Sequence, residues 1–261
     1  MDILDRFRLD GKVALVPGGG GAIGSAIAMM LSEAGACIAV VDRSAEMVEK
    51  TVSVICERGA NALRLPGDMT TEADADRVVA QTLDTYGHLD IIVNAIGGGA
   101  GKVLFAAQEY PRKEWDWIYE LNVRAALLPT QSAVRAMIAG GHGGRVINIS
   151  SVRGQLGINA GYSAYVAAKG AISSLTRQWA TEWAPHGITC NAIAPTFVDT
   201  PQVAMLLGDP KFKQALVSRI PVGRVGQPED LFGAVLLFAS EASSFITGQI
   251  LTIDGGLTAT Q

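Results

Sequence analysis

Tyr165 and Lys169 stand four positions apart in the run Tyr165-Val166-Ala167-Ala168-Lys169. On a helix that spacing puts both side chains on one face, so a phenol and an ammonium can serve one site. The chemistry open to such a pair is proton exchange. A phenol titrates near pH 10 and is a poor base at neutrality, but an adjacent cation favours its anion. Just upstream, Ser150 and Ser151 close the apolar run Ile147-Asn148-Ile149, and a serine hydroxyl can donate to an oxygen on which negative charge develops. Tyr162 forms no second pair of this kind, because position 166 is valine. Taken alone, the spacing also fits a half-buried helix tyrosine and a solvated lysine.

A second group of residues points to a ligand rather than to proton transfer. The stretch Val16-Pro17-Gly18-Gly19-Gly20-Gly21-Ala22-Ile23-Gly24 sets four consecutive glycines between an apolar run and a segment of helical period. A strand–turn–helix of this kind leaves unpaired N–H groups at the helix start, which attract phosphate oxygens, and glycines let the backbone approach a pyrophosphate closely. Asp42 ends the next apolar run, 18 residues beyond Gly24. A carboxylate there can accept from ribose hydroxyls and would repel a 2′-phosphate, which favours NAD over NADP. The alternative for Asp42 is capping of the helix that follows, with Ser44, and the neighbouring Arg43 could pair with a 2′-phosphate.

These residues require a scaffold of alternating strands and helices. Short runs rich in Val and Ile at 12–16, 37–41, 62–65, 90–94, 145–149, 188–193 and 249–253 read as strands. Helical period fills 22–34, 45–57, 71–86, about 114–139, 163–183 and 228–240. The continuous apolar content of the strands implies burial on both faces, as in a parallel sheet covered by helices. The expected fold is α/β: a single doubly wound Rossmann-type domain over residues 1–261, with a parallel seven-stranded sheet and helices on both faces. The longest break in the alternation, about 195–224, follows a strand end and is expected to form a substrate-binding lid.

Composition narrows the function classes. The formal charge of the 261 residues is −4 and the basic residues are scattered, so no nucleic-acid footprint is present. Cys37, Cys56 and Cys190 form no CxxC pair and have no histidine neighbours at metal spacing. No metal site or disulfide framework is expected, and a reducing cytoplasm is the natural compartment. The start, MDILDRFRLD, does not read as a signal peptide, and no apolar run approaches the ~20 residues of a membrane span. The expected partner is a small molecule, with neither nucleic acid nor membrane.

With the glycine-rich first turn, the serine pair and one α/β domain of this length, the Tyr165–Lys169 pair resembles the short-chain dehydrogenase/reductase family. The likeness runs from Leu9-Asp10-Gly11-Lys12-Val13-Ala14 to Thr252-Ile253-Asp254-Gly255-Gly256. It implies an oxidoreductase in which Tyr165 exchanges a proton with the substrate oxygen, Lys169 favours the phenolate, Ser151 stabilises that oxygen and Asn122 holds a water in a proton relay. Ser151 lies 14 residues before Tyr165, one more than is usual in the family, which implies a small insertion. The cofactor contacts implied are Gly18, Gly20, Gly21, Ile23 and Gly24 of the turn, with Asp42, Arg43, Asp68, Met69, Asn94, Ala95, Gly97, Tyr165, Lys169, Pro195, Val198 and Thr200. Two departures occur together: Pro17 stands where the family has Thr, and Ala95 where it has a second Asn. In this fold the two segments end adjacent strands, so the changes are expected to compensate.

The likeness is greatest to sugar-acid and polyol dehydrogenases of the gluconate 5-dehydrogenase type, carried by segments such as Ile220-Pro221-Val222-Gly223-Arg224 and Ser243-Ser244-Phe245-Ile246-Thr247-Gly248. It implies a secondary alcohol substrate and a homotetramer. A 3-oxoacyl thioester reductase is the alternative, disfavoured by Asp42 and the negative charge; a catalytically silent NAD-binding scaffold is a remote one. Candidate substrate contacts are Arg153, Gln155 and Gln202. Arg153 could clamp an anion or point to solvent, while Met205, Leu206 and Leu207 suit either an apolar substrate or the packing of a lid helix.

Overall fold

The computed structural model describes residues 2–201 and 203–259. Seven parallel strands form one sheet in the order β3-β2-β1-β4-β5-β6-β7. They are β1 Val13–Pro17, β2 Cys37–Asp42, β3 Ala62–Pro66, β4 Ile91–Asn94, β5 Gly144–Ile149, β6 Ile188–Pro195 and β7 Ile250–Ile253. β1, β4 and β6 are buried along their whole length, as expected of strands covered on both faces. Their alternate side chains feed two separate cores. Val16, Val40, Ile91 and Ile147 belong to one, and Leu15, Val41, Ile92 and Val146 to the other.

The helices that cover the sheet are α1 Ala22–Glu33, α2 Ala45–Glu57, α3 Glu72–Tyr86, α4 Arg112–Tyr119, α5 Ala125–Gly140, α6 Ser163–Trp183, α7 Ala204–Leu207, α8 Pro210–Val217 and α9 Phe232–Ala239. Most strand and helix positions agree with the sequence pattern to within a residue or two; the helix expected over 228–240 opens with a 3-10 turn at Pro228–Leu231 before α9 begins at Phe232, and two other differences are informative. The helix expected over about 114–139 is broken by a wide π turn at Glu120–Arg124, a feature that side-chain periodicity does not report. The long lid segment holds two short helices, α7 and α8, rather than irregular chain. The sheet order reverses between β1 and β4, and at such a switch point the strand ends diverge and leave a crevice.

Candidate active site

A cavity of about 410 Å³ opens at that crevice, reaching from Gly21–Gly24 past Ile96 and Gly97 to Ser151, Tyr165, Lys169 and the lid. Its glycine turn is built by close packing. A Cβ on Gly18, whose φ is +84°, would lie 2.7 Å from the Ala95–Ile96 peptide, and one on Gly24 would lie 2.0 Å from the Gly18 carbonyl oxygen. Any side chain at either place would force the turn away from β4 or α1. The α1 N-cap, Gly21, supplies no side-chain cap, so the first N–H groups of the helix are left for a ligand. The turn therefore fits a pyrophosphate.

Asp42 abuts this turn: a Cβ on Gly20 would come within 3.0 Å of its Cβ. One carboxylate oxygen accepts from the Ser44 N–H at 3.1 Å, and the Ser44 hydroxyl caps α2 through Met47. The capping and ribose-binding readings are therefore compatible, because Oδ2 has no hydrogen bond among the described residues. Arg43 is exposed. Asp68 accepts from the N–H and hydroxyl of Thr70 at 2.9 and 2.7 Å, while the Met69 side chain is in the core.

At the other end of the cavity Lys169 is 3% exposed, and its Nζ donates to the Ile149 carbonyl at 2.9 Å. Nζ lies 5.8 Å from the Tyr165 ring centroid. Burial pushes the lysine down to about 8 and the Tyr165 phenol up to about 12, the latter opposed by a hydrogen bond from Ser151. Both shifts disfavour charge, so each group depends on the other's ionised form or on a bound ion. The Ser151 hydroxyl accepts from the Arg153 N–H at 3.1 Å and faces the Pro195 carbonyl at 3.4 Å. Ser150 has a different job: it bonds the Lys169 carbonyl and Ser173, tying β5 to α6.

The π turn places Asn122 against the glycine segment after β4. Its amide accepts from Gly98 N at 2.9 Å and donates to the carbonyls of Gly98 and Ile118. Asn122 Oδ1 and Lys169 Nζ each come within 2.8 Å of the point a Gly97 Cβ would occupy, so only glycine leaves space between them. Asn94 turns the other way. It donates to Thr130 and Asn148, and Asn148 continues to Thr176, in a fully buried chain that ties β4 and β5 to α5 and α6. Polar residues inside apolar strands were the signal for that network. Ala95 and Pro17 do meet, through an Ala95 N–H to Pro17 carbonyl bond of 2.9 Å.

Of the remaining candidates, Pro195, Val198 and Thr200 line the cavity, as does Arg153. Gln155 is exposed, with its amide 3.4 Å from the Thr252 hydroxyl, and is not part of the lining. Gln202 lies outside the described residues, as do the side chains of Met205 and Leu206; Leu207 is buried with Leu216, Ile220 and Val225 inside the lid. Tyr162, Ile158 and Phe197 also line the cavity. Periodicity could not single them out, because loop residues carry no face. No group of three or more His, Cys, Asp or Glu able to hold a metal occurs among the described residues.

A parallel seven-stranded sheet, a glycine cradle and a Tyr–Lys–Ser constellation at its switch point define a dinucleotide-dependent oxidoreductase. Residues 20–258 match the family described as Enoyl-(Acyl carrier protein) reductase. The chain is 37% identical over 255 residues to gluconate 5-dehydrogenase of Gluconobacter oxydans (strain 621H), covering 97% of each protein. It is 36% identical over 258 residues to 2-dehydro-3-deoxy-D-gluconate 5-dehydrogenase of Dickeya dadantii (strain 3937), covering 97% of this chain and 98% of the relative. A crystal structure of gluconate 5-dehydrogenase from Burkholderia cenocepacia J2315 in complex with NADP and tartrate superimposes with a TM-score of 0.92, at 35% identity and full coverage of both chains. The chain belongs to the short-chain dehydrogenase/reductase family and is an oxidoreductase.

Proposed function

We propose that the protein transfers a hydride between NAD and the secondary alcohol or ketone of a sugar acid or related hydroxy acid. The observation that carries this reading is the convergence of Ser151, Tyr165 and Lys169 on one cavity that begins at the uncapped α1 N-terminus. The relatives are named for gluconate and 2-dehydro-3-deoxy-D-gluconate, which suggests the substrate class. When bound, the nicotinamide supplies the hydride acceptor and a positive ring. In the oxidation direction Tyr165 takes the hydroxyl proton of the substrate. Lys169, held by Ile149, favours the phenolate that must form first. Ser151 donates to the substrate oxygen, and Asn122 fixes the glycine segment that leaves room beside Lys169 for a relay water.

Asp42 supports NAD as the partner, because its carboxylate beside the turn would repel a 2′-phosphate. Turnover of sugar acids with each dinucleotide tests both parts. Faster reduction of NAD⁺ than NADP⁺ is expected, and Asp42→Ala is expected to raise kcat/KM for NADP⁺ about tenfold. A wild-type preference for NADP⁺ would overturn the role of Asp42. A homotetramer belongs to the same reading: β7 is an edge strand, Leu251 on it is 41% exposed, and Phe245 beside it is fully exposed. So does a cytoplasmic setting; no described helix is long and apolar enough to cross a membrane.

A further inference from the structure

The half of the cavity away from the glycine turn is unusual for a site that must hold a polyhydroxylated chain. Beside the polar groups of Ser151, Tyr162, Tyr165, Thr196 and Thr200, its lining carries Val152, Ile158, Phe197, Pro201 and Val203. Ile158 in that lining is 36% exposed, and Leu156, two residues before it, is 45% exposed. Phe105, also 36% exposed, is brought to the same segment by its N–H to Gly161 carbonyl bond. A substrate hydroxyl pressed against such a wall loses water and gains no partner.

Arg153 lines the same cavity, as Lys169 does. Arg153 follows Ser151 by two residues, is half-buried, and lines the cavity with Tyr162 and Tyr165. One of its N–H groups donates to the Gly157 carbonyl at 3.1 Å, which fixes the side chain and leaves most of its fork without an acceptor among the described residues. It forms no ion pair with a carboxylate among the described residues. Burial, and the like charge of Arg219 two residues after α8, hold the guanidinium below its usual range. A half-buried cation without a carboxylate partner lacks its counterion.

We infer that the substrate is a sparsely hydroxylated carboxylic acid, its carboxylate held by Arg153 and its apolar carbons laid along Ile158 and Phe197 while its secondary alcohol meets Tyr165. The inference rests on the hydroxy-acid reading above and narrows it. Three six-carbon compounds separate the possibilities: D-gluconate, 5-hydroxyhexanoate, and 5-hydroxyhexanamide, which lacks only the charge. For the wild-type enzyme with NAD⁺, kcat/KM is expected to be about tenfold higher for 5-hydroxyhexanoate than for gluconate, and about thirtyfold higher than for the amide. In Arg153→Gln the acid and the amide should come within about threefold of each other, while Arg153→Lys should keep part of the discrimination. NADH affinity and Tm should stay at wild-type values in both, which separates a lost anion contact from misfolding. A preference for gluconate, or an acid-to-amide ratio untouched by Arg153→Gln, would overturn the inference and leave the oxidoreductase reading standing. Absence of turnover with all three, with NADH still bound, would sink the reading beneath it as well.

Discussion

The floor and the roof of the cavity are built on opposite terms. The floor is made of strand ends and α6, and its polar groups are tied to backbone: Lys169 to Ile149, Asn122 to Gly98, Ser151 to Arg153 N. The roof is made of Ile158 and of Phe197, Val198, Thr200, Pro201 and Val203, the segment that leads into α7. It is held by a small apolar cluster and one ring contact, Phe197 against Phe212 at 5.9 Å. Groups that move a proton must be positioned before the substrate arrives, so they belong on rigid elements. Groups that select a substrate can sit where a few apolar contacts open and close.

If that contrast holds, damage to the floor should be large and indifferent to the substrate, and damage to the roof small and substrate-dependent. The largest effect is expected from Tyr165→Phe: a loss of about 10³–10⁴ in kcat with NADH binding retained, measured by steady-state kinetics and fluorescence titration. Substantial residual turnover would show that the floor is not the proton-transfer machinery. Next comes Lys169→Met, expected to lower kcat by about 10²–10³ yet raise stability at pH 7 by about 1–3 kcal/mol, because it removes a buried charge. The sign with pH follows from the depressed pKa of Lys169, about 8 in the fold against an ordinary ~10.5 when unfolded. Below pH 8 the lysine is charged in both states and the burial cost is complete. From pH 8 towards 10.5 the unfolded chain binds more protons, so wild-type stability rises relative to the variant. Denaturation of both proteins across that window should show the gap closing.

On the roof, Phe212→Ala should raise KM for the substrate by about three- to tenfold, leaving kcat and Tm nearly unchanged. An equal fall in kcat would place the lid in the chemical step. The smallest effect is expected where floor meets cofactor turn. In a double-mutant cycle, Pro17→Thr with Ala95→Asn should show a coupling of about 0.5–1 kcal/mol in chemical denaturation, since the two residues touch through the Ala95 N–H. Strict additivity would mean the two departures arose independently.

Much of this molecule was legible in the chain itself. The strand and helix alternation, the glycine cradle and the Tyr165–Lys169 pair all depend on neighbours within about one helical turn or one strand, and local spacing reports such relations directly. The direction of Asn94, the seat of Lys169 and the exposure of Arg153 to the cavity were not legible. The first two are set by segments far away in the sequence, Thr130 and Asn148 for Asn94 and Ile149 for Lys169, and the third by the strand ends and the segment after β6 that enclose the same cavity. An apolar strand announces that it is buried, not which strands flank it. The sequence by itself determined the elements, the class of ligand and the spacing of the Tyr165–Lys169 pair. Only the tertiary structure, through the order β3-β2-β1-β4-β5-β6-β7, decided which side chains share a cavity, because that order sets which strand ends converge on it.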